Sequence, residues 1–160
     1  MSKAKAMVTP DQDAVIAEIE IYAPPSRVFE ALTNSEQLMR WFTDENCPVK
    51  YWKMDARLGG SYRYSTEKGN FAVNGVSEFE CHGEITEIDP PRLLVYTWYG
   101  NWHLDAALKT VVRWELTPTS SGTYVKVAHS GLAKDAEARK DYSGGWIGVV
   151  ENLKKFAEVQ

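Results

Sequence analysis

The C-terminal part of the sequence constrains the fold most, because residues 135–160 carry an apolar stripe at helical spacing. The stripe consists of Trp146, Val149, Val150, Leu153, Phe156 and Ala157. The opposite face is polar and consists of Glu151, Asn152, Lys154, Lys155 and Glu158. Burial of each large apolar side chain is worth roughly 1.5–3 kcal/mol. The pattern therefore predicts one long helix over residues 135–160 that docks a single face onto a sheet.

The beginning of this helix has two interpretations. Asp135 can cap a helix whose first turns contain Ala136 and Ala138. Alternatively, Asp141 or Ser143 can cap a shorter helix. Both interpretations place the apolar stripe inside the helix, so the docking face does not depend on the choice.

Gly144 and Gly145 interrupt the helical pattern just before Trp146. Glycine inside a helix costs about 0.5–1 kcal/mol relative to alanine, so a compensating cause is expected. We favour close approach of the helix backbone to a strand, because glycines in helices usually have a packing cause. The alternative is a bare helix wall beside a ligand cavity.

Most of the preceding chain alternates with the two-residue period of half-buried strands. Such runs cover residues 14–22, 51–54, 61–65, 78–86, 93–99, 110–117 and 124–129. Between the first two runs, residues 26–33 have helical spacing, and Ser35 can cap a second short helix with Leu38, Trp41 and Phe42 on its apolar side. Short connections between strands favour an antiparallel sheet, and segregated helices favour the α+β class. We predict an irregular segment over residues 1–13 and one domain over residues 14–160.

Composition excludes several classes of protein. The net charge of -4 and the pI near 5.4 argue against a nucleic-acid partner, which would need a basic face. No run of eighteen apolar residues is present, so we expect no membrane partner. The two cysteines form no C-x-x-C pair, and we expect free thiols in a reducing compartment. These features predict a soluble cytoplasmic protein.

Candidate reactive groups are few. The three histidines, His82, His103 and His129, have no metal-ligand spacing, so we expect no metal and no cofactor. Cys81 and His82 are neighbours on one strand and point to opposite faces, which excludes a local Cys-His nucleophile pair. His129 shares a strand face with buried valines, and we favour a hydrogen-bonded core histidine over a ligand donor or general acid.

The paired acidic residues of the strand over residues 78–86 resemble a catalytic carboxylate pair. Glu78, Glu80 and Glu84 share the phase opposite Phe79 and Ile85. Carboxylates on the face opposite an apolar one are solvated, so we expect an outer face there and no glycosidase-like pair.

The aromatic content is the strongest indication of function. Aromatic residues make up 12% of the chain and include six tryptophans. Buried tyrosines need partners for their hydroxyls, and a pocket with a few polar groups provides them. We therefore favour a ligand cavity over a solid core. The predicted ligand-binding residues are Trp41, Phe42, Tyr62, Tyr64, Phe79, Tyr96, Trp98, Trp114, His129, Gly145, Trp146 and Val149.

Several segments together resemble the branch of the START-related helix-grip (SRPBCC) superfamily that contains homologues of the heat-shock-protein ATPase activator. They are residues 23–33, Trp41-Phe42, Gly59-Gly60, residues 83–91, residues 95–98, Gly122-Thr123, residues 129–132 and Gly145-Trp146. The resemblance implies a curved seven-stranded antiparallel sheet that grips the long C-terminal helix. It also implies a hydrophobic cavity between them, closed by two short helices and loops. Small stand-alone members are typically bacterial.

The function expected from these observations is binding of a hydrophobic or aromatic small molecule between the sheet and the C-terminal helix. Two alternatives stay open. A cavity enzyme of the cyclase, dehydratase or hydrolase type would use His129, Tyr62, Tyr64 or Tyr96. A chaperone-interaction module would need an exposed apolar patch. Because only thirteen residues precede its first predicted strand, we do not expect this chain to have a chaperone partner. The possibility that it forms a homodimer stays open.

Overall fold

The computed structural model describes residues 3–159 and contains eight strands and three helices in that range. The strands are β1 Lys5–Val8, β2 Val15–Ile21, β3 Val49–Met54, β4 Ser61–Thr66, β5 Glu80–Asp89, β6 Leu93–Gly100, β7 Thr110–Pro118 and β8 Thr123–Ser130. The helices are α1 Pro25–Thr33, α2 Ser35–Trp41 and α3 Ala136–Glu158. Residues 1 and 2 of the predicted irregular segment and the predicted helix end at Gln160 lie outside the described residues.

All eight described strands form one antiparallel sheet in the order β1-β2-β8-β7-β6-β5-β4-β3. The predicted α+β class with a long C-terminal helix is confirmed, but the sheet has one strand more than the seven expected. The additional strand is β1, which lies in the segment predicted to be irregular and pairs Lys5 with Glu18 and Val8 with Val15. With only four residues, β1 is too short for its alternation to stand out in the sequence.

The two short helices lie between β2 and β3 and connect opposite halves of the sheet. Pro25 occupies the first turn of α1, where its missing N–H costs nothing. The cap of α2 is Asn34 and not the predicted Ser35, because the side chain of Asn34 accepts a hydrogen bond from the backbone N–H of Gln37 at 3.0 Å. The indole Nε1 of Trp41 donates to the carbonyl oxygen of Ala31 at 2.8 Å. This bond ties the end of α2 to α1 and fixes the position of the Trp41 ring.

The long helix α3 begins at the earliest of the three predicted caps. Asp135 is buried and accepts a hydrogen bond from the backbone N–H of Ala138 at 3.0 Å. The predicted stripe is confirmed as the docking face, since Trp146, Val150, Leu153 and Ala157 are buried. In the part of the chain that the structure describes, no helix combines the length and the apolar composition that crossing a membrane would need.

Strand β5 confirms the predicted face assignment. Cys81 is fully buried whereas its neighbour His82 is exposed, so the two side chains point to opposite faces. Glu80 and Glu84 are exposed on the outer face. Both Cys47 and Cys81 are free thiols.

Candidate functional site

A cavity of about 160 Å³ lies between the inner face of the sheet, α3 and the loop that follows α2. Its lining is mostly aromatic. The lining residues are Trp41, Phe42, Thr43, Asp44, Cys47, Tyr64, Phe71, Phe79, Trp98, Trp102, Asp141, Tyr142, Gly145, Trp146, Gly148, Val149 and Asn152.

The aromatic rings of the lining pack against one another, and Phe42 contacts rings from both the sheet and α3. Its ring centroid lies 5.3 Å from that of Tyr64 and 6.4 Å from that of Trp146, both in edge-to-face geometry. Trp98 packs against Trp146 from the sheet side, with centroids 5.9 Å apart. Edge-to-face aromatic pairs add about 0.5–1.5 kcal/mol beyond area burial, so these rings hold one another in place. The aromatic lining is therefore a preformed surface.

The wall that α3 contributes is bare where Gly145 and Gly148 face the cavity. A Cβ atom at either position would meet no atom within 4 Å outside its own stretch of helix. The preferred interpretation of the glycine pair, close approach to a strand, is therefore wrong, because no strand lies near enough. Gly144 also has open space around it but does not line the cavity.

The cavity lining also contains polar groups, some of them on α3 together with the exposed Gly145 and Gly148. The side-chain amide of Asn152 donates to the carbonyl oxygen of Thr43 at 2.9 Å and links α3 to the loop after α2. Burial, together with the negative charges of Asp44 and Glu137, raises the pKa of Asp141 to about 6.

The thiol of Cys47 is also part of the lining. Burial, with smaller contributions from Asp44 and Asp141, raises its pKa to about 11. A thiol with so high a pKa carries almost no thiolate at neutral pH, so Cys47 is not an activated nucleophile.

Eight of the twelve predicted ligand-binding residues line the cavity, and their role in binding stays a prediction. They are Trp41, Phe42, Tyr64, Phe79, Trp98, Gly145, Trp146 and Val149. The other four do not reach it and are part of the packed core instead. They are Tyr62, Tyr96, Trp114 and His129.

Tyr62, Tyr96 and Trp114 can be buried in the core because their polar atoms make hydrogen bonds there. The hydroxyl of Tyr62 donates to the carbonyl oxygen of Thr97 at 2.6 Å. The indole Nε1 of Trp114 donates to the hydroxyl oxygen of Tyr96 at 2.9 Å. Buried polar groups that are satisfied in this way need no ligand.

His129 is a hydrogen-bonded core histidine, as the sequence analysis favoured. The indole Nε1 of Trp146 donates to its Nδ1 at 3.2 Å, so the neutral ring carries its proton on Nε2. Nε2 then donates to the hydroxyl oxygen of Thr110 at 2.9 Å, and that hydroxyl donates to the carbonyl oxygen of Trp98 at 2.5 Å. Burial, followed by the proximity of His103, holds the pKa of His129 well below its usual range.

Sequence reasoning missed nine lining residues, of which four lie on α3. Asp141, Gly148 and Asn152 share a helical face with Gly145, at spacings of four, three and seven residues. Extending the glycine face in both directions could have found them. Tyr142 precedes Trp146 by one turn and continues the docking stripe. The remaining five are loop residues that no periodic signal marks, namely Thr43, Asp44, Cys47, Phe71 and Trp102.

Tyr142 connects the cavity lining to a buried polar cluster. Its hydroxyl oxygen accepts a hydrogen bond from the indole Nε1 of Trp98 at 2.8 Å and lies 2.7 Å from Nε2 of His103. Two nitrogens in this region, Nδ1 of His103 and Nε1 of Trp102, are buried without a hydrogen-bond partner. Among residues 3–159, no group of three or more His, Cys, Asp or Glu side chains is arranged to hold a metal ion.

Comparison with known proteins places these features in a family. The sequence profile of the family described as "Activator of Hsp90 ATPase homolog 1-like protein" matches residues 22–158. No protein with a curated description matches the chain.

Solved structures share the fold over most of the chain. CV1439 from Chromobacterium violaceum is 22% identical with a TM-score of 0.75, and the match covers 92% of this chain and 99% of that one. MLL2253 from Mesorhizobium loti is 26% identical with a TM-score of 0.66, and the match covers 89% and 95%. DynU16, a protein in the dynemicin biosynthetic locus, is 21% identical with a TM-score of 0.68, and the match covers 92% of this chain and 48% of that one.

Proposed function

The chain belongs to the Activator of Hsp90 ATPase homolog 1-like family, and from that premise we propose that it binds a small aromatic molecule in the cavity between the sheet and α3. The observation that carries the proposal is the bare wall at Gly145 and Gly148 opposite a preformed aromatic lining. Glycine is costly inside a helix, and here no packing contact compensates the cost. Space kept open for a ligand would explain why glycine occurs at both positions.

The size of the cavity limits the ligand. At about 160 Å³ it resembles an engineered apolar cavity of about 150 Å³ that holds benzene. Pockets for drug-sized ligands measure roughly 300–1,000 Å³. A ligand with one aromatic ring and a short substituent fits this volume, whereas a lipid with a long acyl chain does not.

Binding is better supported than catalysis. The residues expected to act in a cavity enzyme were His129, Tyr62, Tyr64 and Tyr96, and only Tyr64 lines the cavity. A catalytic site needs at least two polar groups that converge on a reacting atom. The structural likeness to DynU16, whose locus is biosynthetic, also supports a small organic molecule as the ligand.

Saturation-transfer NMR with the purified protein tests the proposal. The probes are toluene, phenol and indole, with palmitate as a ligand too long for the cavity. We expect saturation transfer to the ring protons of at least one aromatic probe and a matching rise in the melting temperature. Absence of transfer to all three aromatic probes would contradict the proposal, as would preferential binding of palmitate.

A further inference from the structure

A surface groove adjoins the cavity on the side of α2. This outer groove has a volume of about 750 Å³ and runs between α2 and the last turns of α3, where Arg40 and Lys155 are among its lining residues. The cavity and the outer groove have three lining residues in common, namely Trp41, Thr43 and Asn152. These three residues therefore form the boundary between the two spaces.

One face of α3 runs from the cavity to the outer groove. Gly145 and Gly148 line the cavity only. Asn152 lines both spaces, and Phe156 lines the outer groove only. Spacings of three, four and four residues place these positions in one row on the same side of the helix. Because the two glycines carry no side chain, Asn152 is the first residue of this row that can obstruct the way from the cavity to the outer groove.

A single hydrogen bond closes the boundary at Asn152. The side-chain amide of Asn152 donates to the carbonyl oxygen of Thr43 at 2.9 Å. Both residues line both spaces, so the bond lies on the boundary and joins α3 to the loop after α2.

Asn152 is also the part of the boundary that is held by the fewest bonds. Trp41 is only 3% exposed, and its indole Nε1 donates to the carbonyl oxygen of Ala31. The backbone N–H of Thr43 donates to the carbonyl oxygen of Trp41 at 2.9 Å, and the hydroxyl oxygen of Thr43 accepts from the backbone N–H of Val49 at 2.9 Å. Within residues 3–159, the side chain of Asn152 makes only its bond to Thr43. The side chain at position 152 therefore decides whether the two spaces are separate, since the other two residues are fixed by the fold.

The outer groove offers apolar surface directly beyond this boundary. Phe156 is partly buried one helical turn after Asn152, and the guanidinium carbon of Arg27 lies 4.8 Å from the centroid of its ring. Trp41 and Val159 also line the outer groove. An alkyl chain that passed residue 152 would be removed from water by these side chains.

We propose that Asn152 limits the length of the ligand by closing the cavity towards the outer groove. This inference rests on the proposed function and identifies the residue that excludes ligands with long chains. An aromatic ring with a short substituent fits on the cavity side of Asn152. A longer chain would have to displace the side chain of Asn152 and would leave the carbonyl oxygen of Thr43 without its hydrogen bond.

The test measures how binding depends on chain length, by isothermal titration calorimetry against the full chain. The probes are three neutral alcohols, 2-phenylethanol, 4-phenylbutan-1-ol and 6-phenylhexan-1-ol. For the parent, we expect 6-phenylhexan-1-ol to bind no more tightly than 2-phenylethanol. In Asn152→Ala the Kd of 6-phenylhexan-1-ol should fall at least about tenfold, because removal of two methylene groups from water is enough for such a factor. The Kd of 2-phenylethanol should stay close to that of the parent, since this probe ends inside the cavity.

Two variants serve as controls. Lys155→Ala removes an exposed side chain that lines the outer groove but not the cavity, and it should leave all three Kd values unchanged. Asn152→Leu removes the hydrogen bond to Thr43 and keeps a bulky side chain at the boundary, so it should exclude 6-phenylhexan-1-ol as the parent does. The leucine variant thereby separates obstruction by residue 152 from a general loosening of the loop after α2.

The outcomes separate this inference from the proposed function. No gain in binding of 6-phenylhexan-1-ol by Asn152→Ala, or an equal gain by Lys155→Ala or Asn152→Leu, would overturn the role of Asn152 and leave the aromatic cavity in place. Binding of none of the three probes to the parent or to any variant would overturn both. If Asn152→Ala fails to fold, the parent still decides the question, because a Kd that falls steadily from the shortest to the longest alcohol would overturn the length limit.

Discussion

The indole Nε1 of Trp146 on α3 donates a hydrogen bond to Nδ1 of His129 on β8, with 3.2 Å between the two nitrogens. Both side chains are buried, and the ring centroids lie 5.8 Å apart in edge-to-face geometry. The bond fixes the tautomer of His129, which then donates through Nε2 to Thr110. Trp146 therefore has two structural roles. Its indole nitrogen is bonded inside the core, and its side chain also lines the cavity.

The first prediction concerns the pH dependence that His129 imposes. Its pKa is held well below 6.5 by burial, so below that pH the unfolded chain takes up a proton that the folded chain refuses. The free energy of unfolding should fall as the pH decreases below about 6.5, with this one group contributing up to about 1.4 kcal/mol per pH unit. His129→Gln should be less stable than the parent at pH 8. Its free energy of unfolding should also depend less on pH, because glutamine does not titrate. Urea unfolding between pH 5 and 8 measures how the free energy of unfolding changes with pH in the parent and in the variant. Identical slopes for the two proteins would contradict a neutral, buried His129.

The second prediction concerns Trp146 itself. Trp146→Ala removes a large buried side chain at the contact between helix and sheet and should destabilise the fold by roughly 3–5 kcal/mol. Trp146→Phe keeps an aromatic ring and loses the hydrogen bond to His129, so its loss should be smaller. Chemical denaturation of both variants provides the comparison. A loss below about 1 kcal/mol for the alanine variant would mean that the indole is not a core element.

The third prediction concerns Asp141, whose pKa is raised to about 6 from an ordinary value of 3.8. Well below pH 4 the carboxyl is protonated in both states, whereas between about pH 4 and 6 the unfolded chain releases the proton that the folded chain keeps, so the free energy of unfolding falls across this range. Asp141→Asn should therefore nearly match the parent near pH 4 and exceed its stability at pH 7. Because solvent screens the charge of a partly exposed carboxylate, the gain should be roughly 1–2 kcal/mol. A difference that is constant across this pH range would contradict the raised pKa.

The fourth prediction tests the face assignment of β5. Glu80 and Glu84 are exposed, so Glu80→Gln and Glu84→Gln should each change the free energy of unfolding by less than about 0.5 kcal/mol. The melting temperatures of the two variants and the parent measure this. A large decrease for either variant would mean that its carboxylate makes a stabilising contact in the fold.

The fold could be predicted from the sequence because periodicity carries most of its information. The docking stripe around Trp146 and the alternation in β2 and β8 reflect burial directly, since every second residue of each strand, from Val15 in β2 and from Thr123 in β8, lies on the buried face. The strand β1 was missed because only Ala6 and Val8 are partly buried against the core. Four residues at a sheet edge give too little alternation to distinguish a strand from a loop.

The site was predictable only in part, for a different physical reason. Aromatic type indicates burial, but burial does not distinguish a wall residue from a core residue. Tyr62 and Tyr64 share one strand face, yet only Tyr64 lines the cavity, because the hydroxyl of Tyr62 is bonded inside the core. Loop residues such as Asp44 and Trp102 reach the cavity through the path of the chain, which no local pattern encodes.

The central claim is that α3 keeps space open at Gly145 and Gly148 for a ligand. Alanine at either position should stabilise the helix by about 0.5–1 kcal/mol, because the added methyl group meets open space. Leucine there would fill the cavity. Gly144 is the matched control, because it has the same open surroundings and lies outside the cavity lining.

The most direct measurement is the Kd of one aromatic probe, phenol or 2-phenylethanol, for Gly148→Leu and Gly144→Leu, with melting temperatures to confirm that both variants fold. We predict that Gly148→Leu folds and loses binding while Gly144→Leu folds and keeps the Kd of the parent. Equal Kd values for the two variants and the parent would contradict the claim that this wall of α3 holds a ligand.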